Sequence, residues 1–85
     1  MSTTTATVTV RLFAAAAEAV GAEQLELPAA IVQDVVDALV AAGGPDTASV
    51  LGRCSFLVGG LRADTAQVAV PAGAVVDVMP PFAGG

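Results

Sequence analysis

The residues with the clearest chemical potential lie where the sequence closes, on two glycines that follow a double proline. This segment consists of Pro80, Pro81, Phe82, Ala83, Gly84 and Gly85. Because each proline fixes φ near −65° and lacks an N–H donor, we expect the segment to be extended rather than helical. Glycine has no Cβ, so the last two residues fit a channel too narrow for other residues. Six extended residues span about 20 Å at roughly 3.3 Å each, so the pattern predicts a carboxylate presented inside another protein.

The carboxylate of Gly85 needs activation before it can react at its carbon. At neutral pH it is a poor electrophile, because the leaving group would be oxide. Reaction with ATP would convert it to a mixed anhydride with AMP, and a sulfur nucleophile could then displace AMP and leave a thio acid. An unhindered glycine carbonyl suits both steps.

The remaining residues offer little catalytic chemistry. The chain has no histidine and no lysine, which excludes an imidazole base, a histidine-based triad, a lysine Schiff base and a Walker A lysine. Asp34 and Asp37 could form a paired-carboxylate site, but a solvated helix face is the favoured interpretation. Cys54 is the single cysteine, which excludes an internal disulfide, and we expect a small buried side chain rather than a reactive thiol. We therefore predict that the chain is not an enzyme by itself and binds no metal or cofactor.

Charge and hydropathy limit the partners. Three arginines against eight acidic residues give a net charge of −5 over 85 residues, which excludes nucleic-acid binding and disfavours anionic membranes. The charge would steer a basic protein partner toward the chain. No apolar run approaches the 18 residues of a membrane span, and residues 1–5 resemble a frayed leader rather than a signal peptide. A free thiol suits the reducing cytosol, so we expect a cytoplasmic protein.

Periodicity predicts alternating strands and helices in the first half. Thr7–Leu12 alternates strictly, as expected of a half-buried strand. Residues 14–20 predict a short helix ended by Gly21, and residues 24–27 a second strand closed by Pro28. A longer helix is predicted from apolar residues at helical spacing, which are Val32, Val35, Val36, Leu39 and Val40.

The second half is predicted to be mainly strands. Residues 46–51 suggest an irregular or helical turn, and Ser55–Val58 a strand joined by a Gly59-Gly60 turn to Leu61–Arg62. Residues 67–70 suggest a short strand, and Val75–Met79 the last one. The fold class is therefore α+β, one domain over residues 1–85, with a mixed sheet packed against helices.

Alternation also predicts two different sheet faces. Five residues should face the helices, namely Val8, Val10, Leu12, Val76 and Val78. The open face then carries Arg11, Val75, Asp77 and Met79, which could form a docking patch for a partner. An ordinary surface ion pair between Arg11 and Asp77 is the alternative interpretation.

Three stretches resemble the MoaD/ThiS family of ubiquitin-like sulfur carriers: residues 10–18, residues 31–39 and residues 79–85. The likeness runs in order from Thr7 to Gly85. It implies a ubiquitin-like β-grasp fold, with the first and last strands parallel at the sheet centre, and a flexible Gly-Gly tail over residues 80–85. The hairpin is a departure, because family members often have asparagine where this chain has Gly59-Gly60.

The same resemblance implies a function. An adenylyltransferase of the ubiquitin-activating type would use ATP to adenylate Gly85, and a sulfurtransferase would supply the sulfur of a C-terminal thiocarboxylate. The length and the double proline are most similar to the small subunit of molybdopterin synthase, whose large subunit would receive the sulfur for the dithiolene of molybdopterin. Partner contacts would then come from residues 80–84 together with Met79 and Arg11. Carriers for cysteine or thiazole biosynthesis, and a ubiquitin-like modifier or interaction module, remain alternatives.

Overall fold

The structure, a computed structural model, describes residues 7–81. The predicted leader at residues 1–5 and the tail residues 82–85 lie outside this part of the chain. The described residues form five strands and three helices: β1 (Thr7–Leu12), α1 (Ala15–Val20), β2 (Gln24–Pro28), α2 (Val32–Ala42), α3 (Thr47–Leu51), β3 (Ser55–Val58), β4 (Leu61–Arg62) and β5 (Val75–Met79).

The strands form one mixed sheet in the order β2-β1-β5-β3-β4. The first and last strands, β1 and β5, are parallel neighbours at its centre, with Arg11 opposite Asp77 and Leu12 opposite Val78. The outer pairs are antiparallel. This arrangement confirms the expected β-grasp fold and places the end of β5 between two hydrogen-bonded neighbours.

One face of the sheet is covered by the helices, as alternation predicted. The fully or nearly fully buried side chains on this face and on the helices include Val8, Val10, Leu12, Val35, Leu39, Val76 and Val78. Burying a side chain of this size is worth about 1.5–3 kcal/mol relative to exposure. The apolar face of α2 is narrower than predicted, because Val36 is only partly buried and Val40 is 40% exposed.

The predicted strand at residues 67–70 is wrong. The segment forms a single isolated bridge, between Ala69 and Ile31. The backbone of residues 66–68 accepts hydrogen bonds from the start of α2 instead: the N–H of Val32 donates to the Val68 carbonyl at 3.0 Å, and that of Gln33 to the Ala66 carbonyl at 2.8 Å. The first N–H groups of a helix have no partner within the helix, so the segment satisfies donors that would otherwise be buried or left to water.

Two turn predictions are confirmed by backbone geometry. Gly59 and Gly60 have φ values of 58° and 86° and join β3 to β4, a conformation that two glycines adopt without steric cost. Gly21 ends α1 in the left-handed conformation. The start of α1 differs by one residue, because Ala14 has a φ of 52° and the helix begins at Ala15. Residues 46–51, predicted as an irregular or helical turn, contain α3.

Candidate functional site

The site lies at the end of β5, where Pro80 and Pro81 precede the residues that are predicted to carry the reactive carboxylate; we call this point the exit. Pro80 was predicted to project with the tail, but its side chain is buried. With Pro81 it lines a small cavity of about 100 Å³ whose other walls are Ala15, Val50 and Arg53. Pro80 therefore lies beside the start of α1 and the end of α3. Its burial indicates that the domain fixes the chain up to this residue.

Burial of Pro80 shortens the segment that could enter a partner. Residues 82–85 lie between Pro81 and the predicted reactive carboxylate, and four extended residues span about 13 Å at roughly 3.3 Å each. The residues expected to carry the chemistry, from Phe82 to Gly85, lie outside the described part of the chain, so their role remains a prediction. A partner that reacts with Gly85 must nevertheless bring its active site within about 13 Å of Pro81.

The open sheet face beside this exit has an ion pair at its centre. The Arg11 Nε donates to Asp77 Oδ1 at 2.6 Å, and its Nη2 donates to Oδ2 at 2.9 Å. The hydrogen bonds to Asp77, followed by its negative charge, raise the pKa of Arg11 above its ordinary value. The predicted pairing across β1 and β5 is therefore present. The pair is polar and leaves any apolar docking surface to its neighbours.

The apolar neighbours of the ion pair include one residue that the sequence analysis missed. Val75 is 37% exposed and Met79 is partly buried on this face, as alternation predicted. Phe13 is 36% exposed, and the Arg11 guanidinium lies 5.9 Å from the centre of its ring. The N–H of Phe13 donates to the Val78 carbonyl, which places Phe13 next to the end of β5. Its position two residues after Arg11 continues the alternation of β1 and could have identified it.

A second cleft lies on the other side of α1. Its volume is about 550 Å³, and it is lined by Arg11, Phe13, Glu18, Glu23 and Gln24, together with Leu12, Ala14 and Ala17. Since Arg11 is paired with Asp77, the charges of this cleft that have no ion-pair partner among residues 7–81 are the two glutamates. The surroundings of the exit are therefore acidic on the α1–β2 side.

The other sequence candidates have structural roles. Asp34 accepts hydrogen bonds from the N–H groups of Ala30 at 2.8 Å and Ile31 at 3.0 Å, and these bonds lower the pKa of Asp34. Asp37 accepts one from the Gln33 amide at 2.8 Å. The two carboxylates therefore serve the helix and not a shared site, as the sequence analysis favoured.

Cys54 is half-buried, and its thiol donates to the Val50 carbonyl at 3.2 Å. Burial raises the pKa of the Cys54 thiol, which disfavours the reactive thiolate. Within residues 7–81, no cluster of three potential metal-binding side chains occurs. In the same range, no helix has both the length and the apolar character needed to cross a bilayer.

Comparison with solved structures places this geometry among ubiquitin-like proteins. SAMP1 from Haloferax volcanii is 29% identical, with a TM-score of 0.76, covering 93% of this chain and 99% of that one. A putative molybdopterin converting factor subunit 1 from Pyrococcus furiosus is 22% identical, with a TM-score of 0.76, covering 89% and 98%. Subunits 1 and 2 of the molybdopterin-converting factor from Helicobacter pylori have been solved as a complex. The matched chain is 22% identical, with a TM-score of 0.69, covering 93% and 99%.

The sequence itself matches no protein-family model and no curated protein. The two structures at 22% identity show the fold alone. The match to SAMP1, at 29% identity, extends over nearly all of both chains.

Proposed function

We propose that this chain, which has the MoaD/ThiS-like ubiquitin fold, is a sulfur carrier that works through the C-terminal carboxylate of Gly85. More specifically, we propose that it is the small subunit of a molybdopterin synthase. The observation that carries the proposal is the structure at the exit. The strand β5 is paired on both sides, and Pro80, which follows it, is buried four residues before Gly84. A rigid body that ends in a short, narrow segment suits delivery of a carboxylate into a partner's active site.

The chemistry requires two displacements. A Gly85 carboxylate oxygen attacks the α-phosphorus of ATP, the bond to the β-phosphate oxygen breaks, and pyrophosphate leaves. Hydrosulfide then attacks the carbonyl carbon, the bond to the AMP oxygen breaks, and AMP leaves with a thiocarboxylate remaining. If the donor is a persulfide on a sulfurtransferase, the first product is an acyl disulfide, and a thiol must reduce its S–S bond. Catalytic groups for these steps belong to the partners, and this chain is the co-substrate.

The proposed partners follow from the chemistry and the comparisons. A ubiquitin-activating-type adenylyltransferase would bind ATP and the tail, and a molybdopterin synthase large subunit would accept the sulfur. The Helicobacter pylori structure is a complex of subunits 1 and 2 of the molybdopterin-converting factor, which supports a large-subunit partner for this chain. Because the reach beyond Pro81 is about 13 Å, each partner must cover the surface around the exit, including Phe13 and Met79.

A protein modifier is the second candidate function. It is favoured by the 29% identity to a protein whose solved structures are described as SAMP1 and small archaeal modifier protein 1. In that case a lysine amine of a target protein, rather than hydrosulfide, would attack the acyl adenylate and release AMP. Both functions use the same activated Gly85, so the identity of the second nucleophile distinguishes them.

Intact-mass spectrometry of the full chain, purified from its own host, tests the proposal. A carrier should show a fraction of molecules heavier by the difference between sulfur and oxygen, and fragmentation should place that change at Gly85. The change should also form in vitro with ATP, the cognate adenylyltransferase and sulfide. A chain extended by one residue beyond Gly85 is the control and should show none. Isopeptide adducts without a thio acid would support the modifier, and a mass change mapped to Cys54 would contradict both.

A further inference from the structure

Arg53 is a cationic residue beside Pro80 and Pro81, where the predicted tail begins. It follows α3, is exposed, and lines the small cavity formed by Ala15, Val50, Pro80 and Pro81. Within residues 7–81 its guanidinium has no carboxylate partner, whereas Arg11 is held by Asp77. The third arginine, Arg62, lies on β4 and lines a different cleft. Arg53 is therefore a cation beside Pro80 and Pro81 that has no ion-pair partner among residues 7–81.

The length of chain beyond Pro81 brings a partner to this place. Four residues span at most about 13 Å, while a partner must surround Gly85 with its catalytic groups. The mouth of the partner's channel must then press against the residues around Pro81. On one side of the exit these are Phe13 and Met79 of the open sheet face, and on the other they are the walls of the small cavity.

We infer that Arg53 is a recognition residue, which pairs with a carboxylate at the mouth of the adenylyltransferase channel. A small apolar side chain of the same partner fills the cavity of about 100 Å³ between Ala15, Val50 and Pro80. The inference rests on the proposed function and adds a contact on the helix side of the exit. A planar guanidinium beside an apolar pocket recognises a carboxylate and a neighbouring apolar group together.

Charge around the exit gives this contact a direction. Glu18 and Glu23 line the cleft on the far side of α1, so the exit is acidic there and basic at Arg53. A partner with the opposite pattern can dock in one rotation about the tail, because the reversed rotation would place like charges together. The phosphates of ATP are less suited to Arg53, since four residues, if extended in the partner's channel, would place the reacting carboxylate about 13 Å from Pro81.

Pyrophosphate release by the full chain with its cognate adenylyltransferase tests the inference. Arg53→Glu should raise KM for the chain about tenfold or more, because it replaces an attraction with a repulsion. The kcat and the KM for ATP should stay unchanged. Arg53→Lys should fall between the two, since lysine keeps the charge but loses the planar fork. Ala15→Leu, which fills the cavity from an exposed helix position, should also raise KM for the chain.

The matched control for charge is Gln67→Glu compared with Arg53→Gln. Each change makes the chain more negative by one charge. Gln67, however, lies near the start of α2, and this helix starts after the last residue of β2, at the end of the sheet opposite the exit. Circular dichroism should show every variant folded. A KM for Arg53→Glu within twofold of wild type, or a change in the KM for ATP instead, overturns the inference. A wild-type chain that releases no pyrophosphate contradicts the proposed function, and the inference falls with it.

Discussion

The Arg11 guanidinium holds both carboxylate oxygens of Asp77 across the two central strands, at 2.6 and 2.9 Å. These two residues are register partners on parallel strands that are 66 positions apart in sequence. The pair fixes the polar centre of the open sheet face, and it orients the guanidinium toward Phe13. What remains for an apolar contact on this face is the group formed by Phe13, Val75 and Met79.

We expect Met79→Glu to weaken binding of a partner without unfolding the domain. The side chain is partly buried on the open face immediately before Pro80, so a carboxylate there would be desolvated in the complex. Titration calorimetry with the cognate adenylyltransferase measures the effect. Ala41→Glu, on the exposed end of α2, adds the same charge elsewhere and should leave Kd unchanged. Equal affinities of Met79→Glu and wild type would rule out the patch.

Gly84→Ala, or deletion of Gly85, should abolish sulfur transfer and leave the melting temperature unchanged. The first adds a Cβ that a narrow channel excludes, and the second shortens the reach of the carboxylate by one residue. Mass spectrometry detects the thiocarboxylate, and calorimetry measures the melting temperature. Full activity of either variant, or an unfolded variant, would contradict the assignment of the tail as a separate reactive segment.

Gly43→Ala should destabilise the fold by about 1–3 kcal/mol, the usual cost of overpacking. A Cβ at this position would overlap the Thr47 hydroxyl oxygen and lie 3.1 Å from the Ala19 carbonyl oxygen. Gly44→Ala is the matched control, because a Cβ there would lie 3.7 Å from the Ala19 carbonyl oxygen, an ordinary van der Waals distance, and the change should be nearly neutral. Urea denaturation measures both.

Thr47 itself provides the check on that explanation. Its hydroxyl is buried and donates to the Ala19 carbonyl at 3.1 Å, so Thr47→Ala alone should destabilise by about 0.5–1.5 kcal/mol. In the Gly43→Ala background the same change removes the overlapping oxygen. The double variant should then be more stable than the sum of the two single effects predicts. Strict additivity would show that the overlap is not the cause.

Asp34 should contribute stability that depends on pH. Hydrogen bonds from Ala30 and Ile31 lower its pKa in the folded protein. Its contribution is therefore fully present above the unfolded pKa and is lost as the pH falls through the folded pKa. Asp34→Asn should lower stability at neutral pH and reduce the loss between neutral and acid pH. Asp46→Asn, whose carboxylate makes no cap hydrogen bond, is the control in urea denaturation at several pH values. An unchanged slope for Asp34→Asn would contradict the assignment.

Cys54→Ala should leave thiocarboxylate formation intact, because the sulfur belongs on Gly85. The wild-type thiol should react slowly with iodoacetamide at neutral pH, since burial raises its pKa and it donates to Val50. A glutathione sample at the same pH is the reference. Reaction as fast as glutathione would show an accessible thiolate and reopen a role for this cysteine.

Local patterns predicted most elements and missed features that depend on distant contacts. Alternation located β1 and β2, because side chains on a half-covered sheet repeat every two residues. The strand order could not be derived from residues alone, since the pairing of β1 with β5 joins the two ends of the domain. The family resemblance implied that central parallel pair. Pro80 was expected to project because its own φ is fixed, but its burial depends on Ala15 and Val50.

The parallel pairing of β1 with β5 also has a consequence for how the chain matures. Contacts between residues far apart in sequence form slowly, because a long loop must close before they contribute. The centre of this sheet can close only after β5 is available, so Pro80 reaches its buried position only in a completed domain. A partner that recognises the exit therefore binds only folded molecules. A nascent or unfolded chain would present the same terminal sequence without the surface that the partner binds.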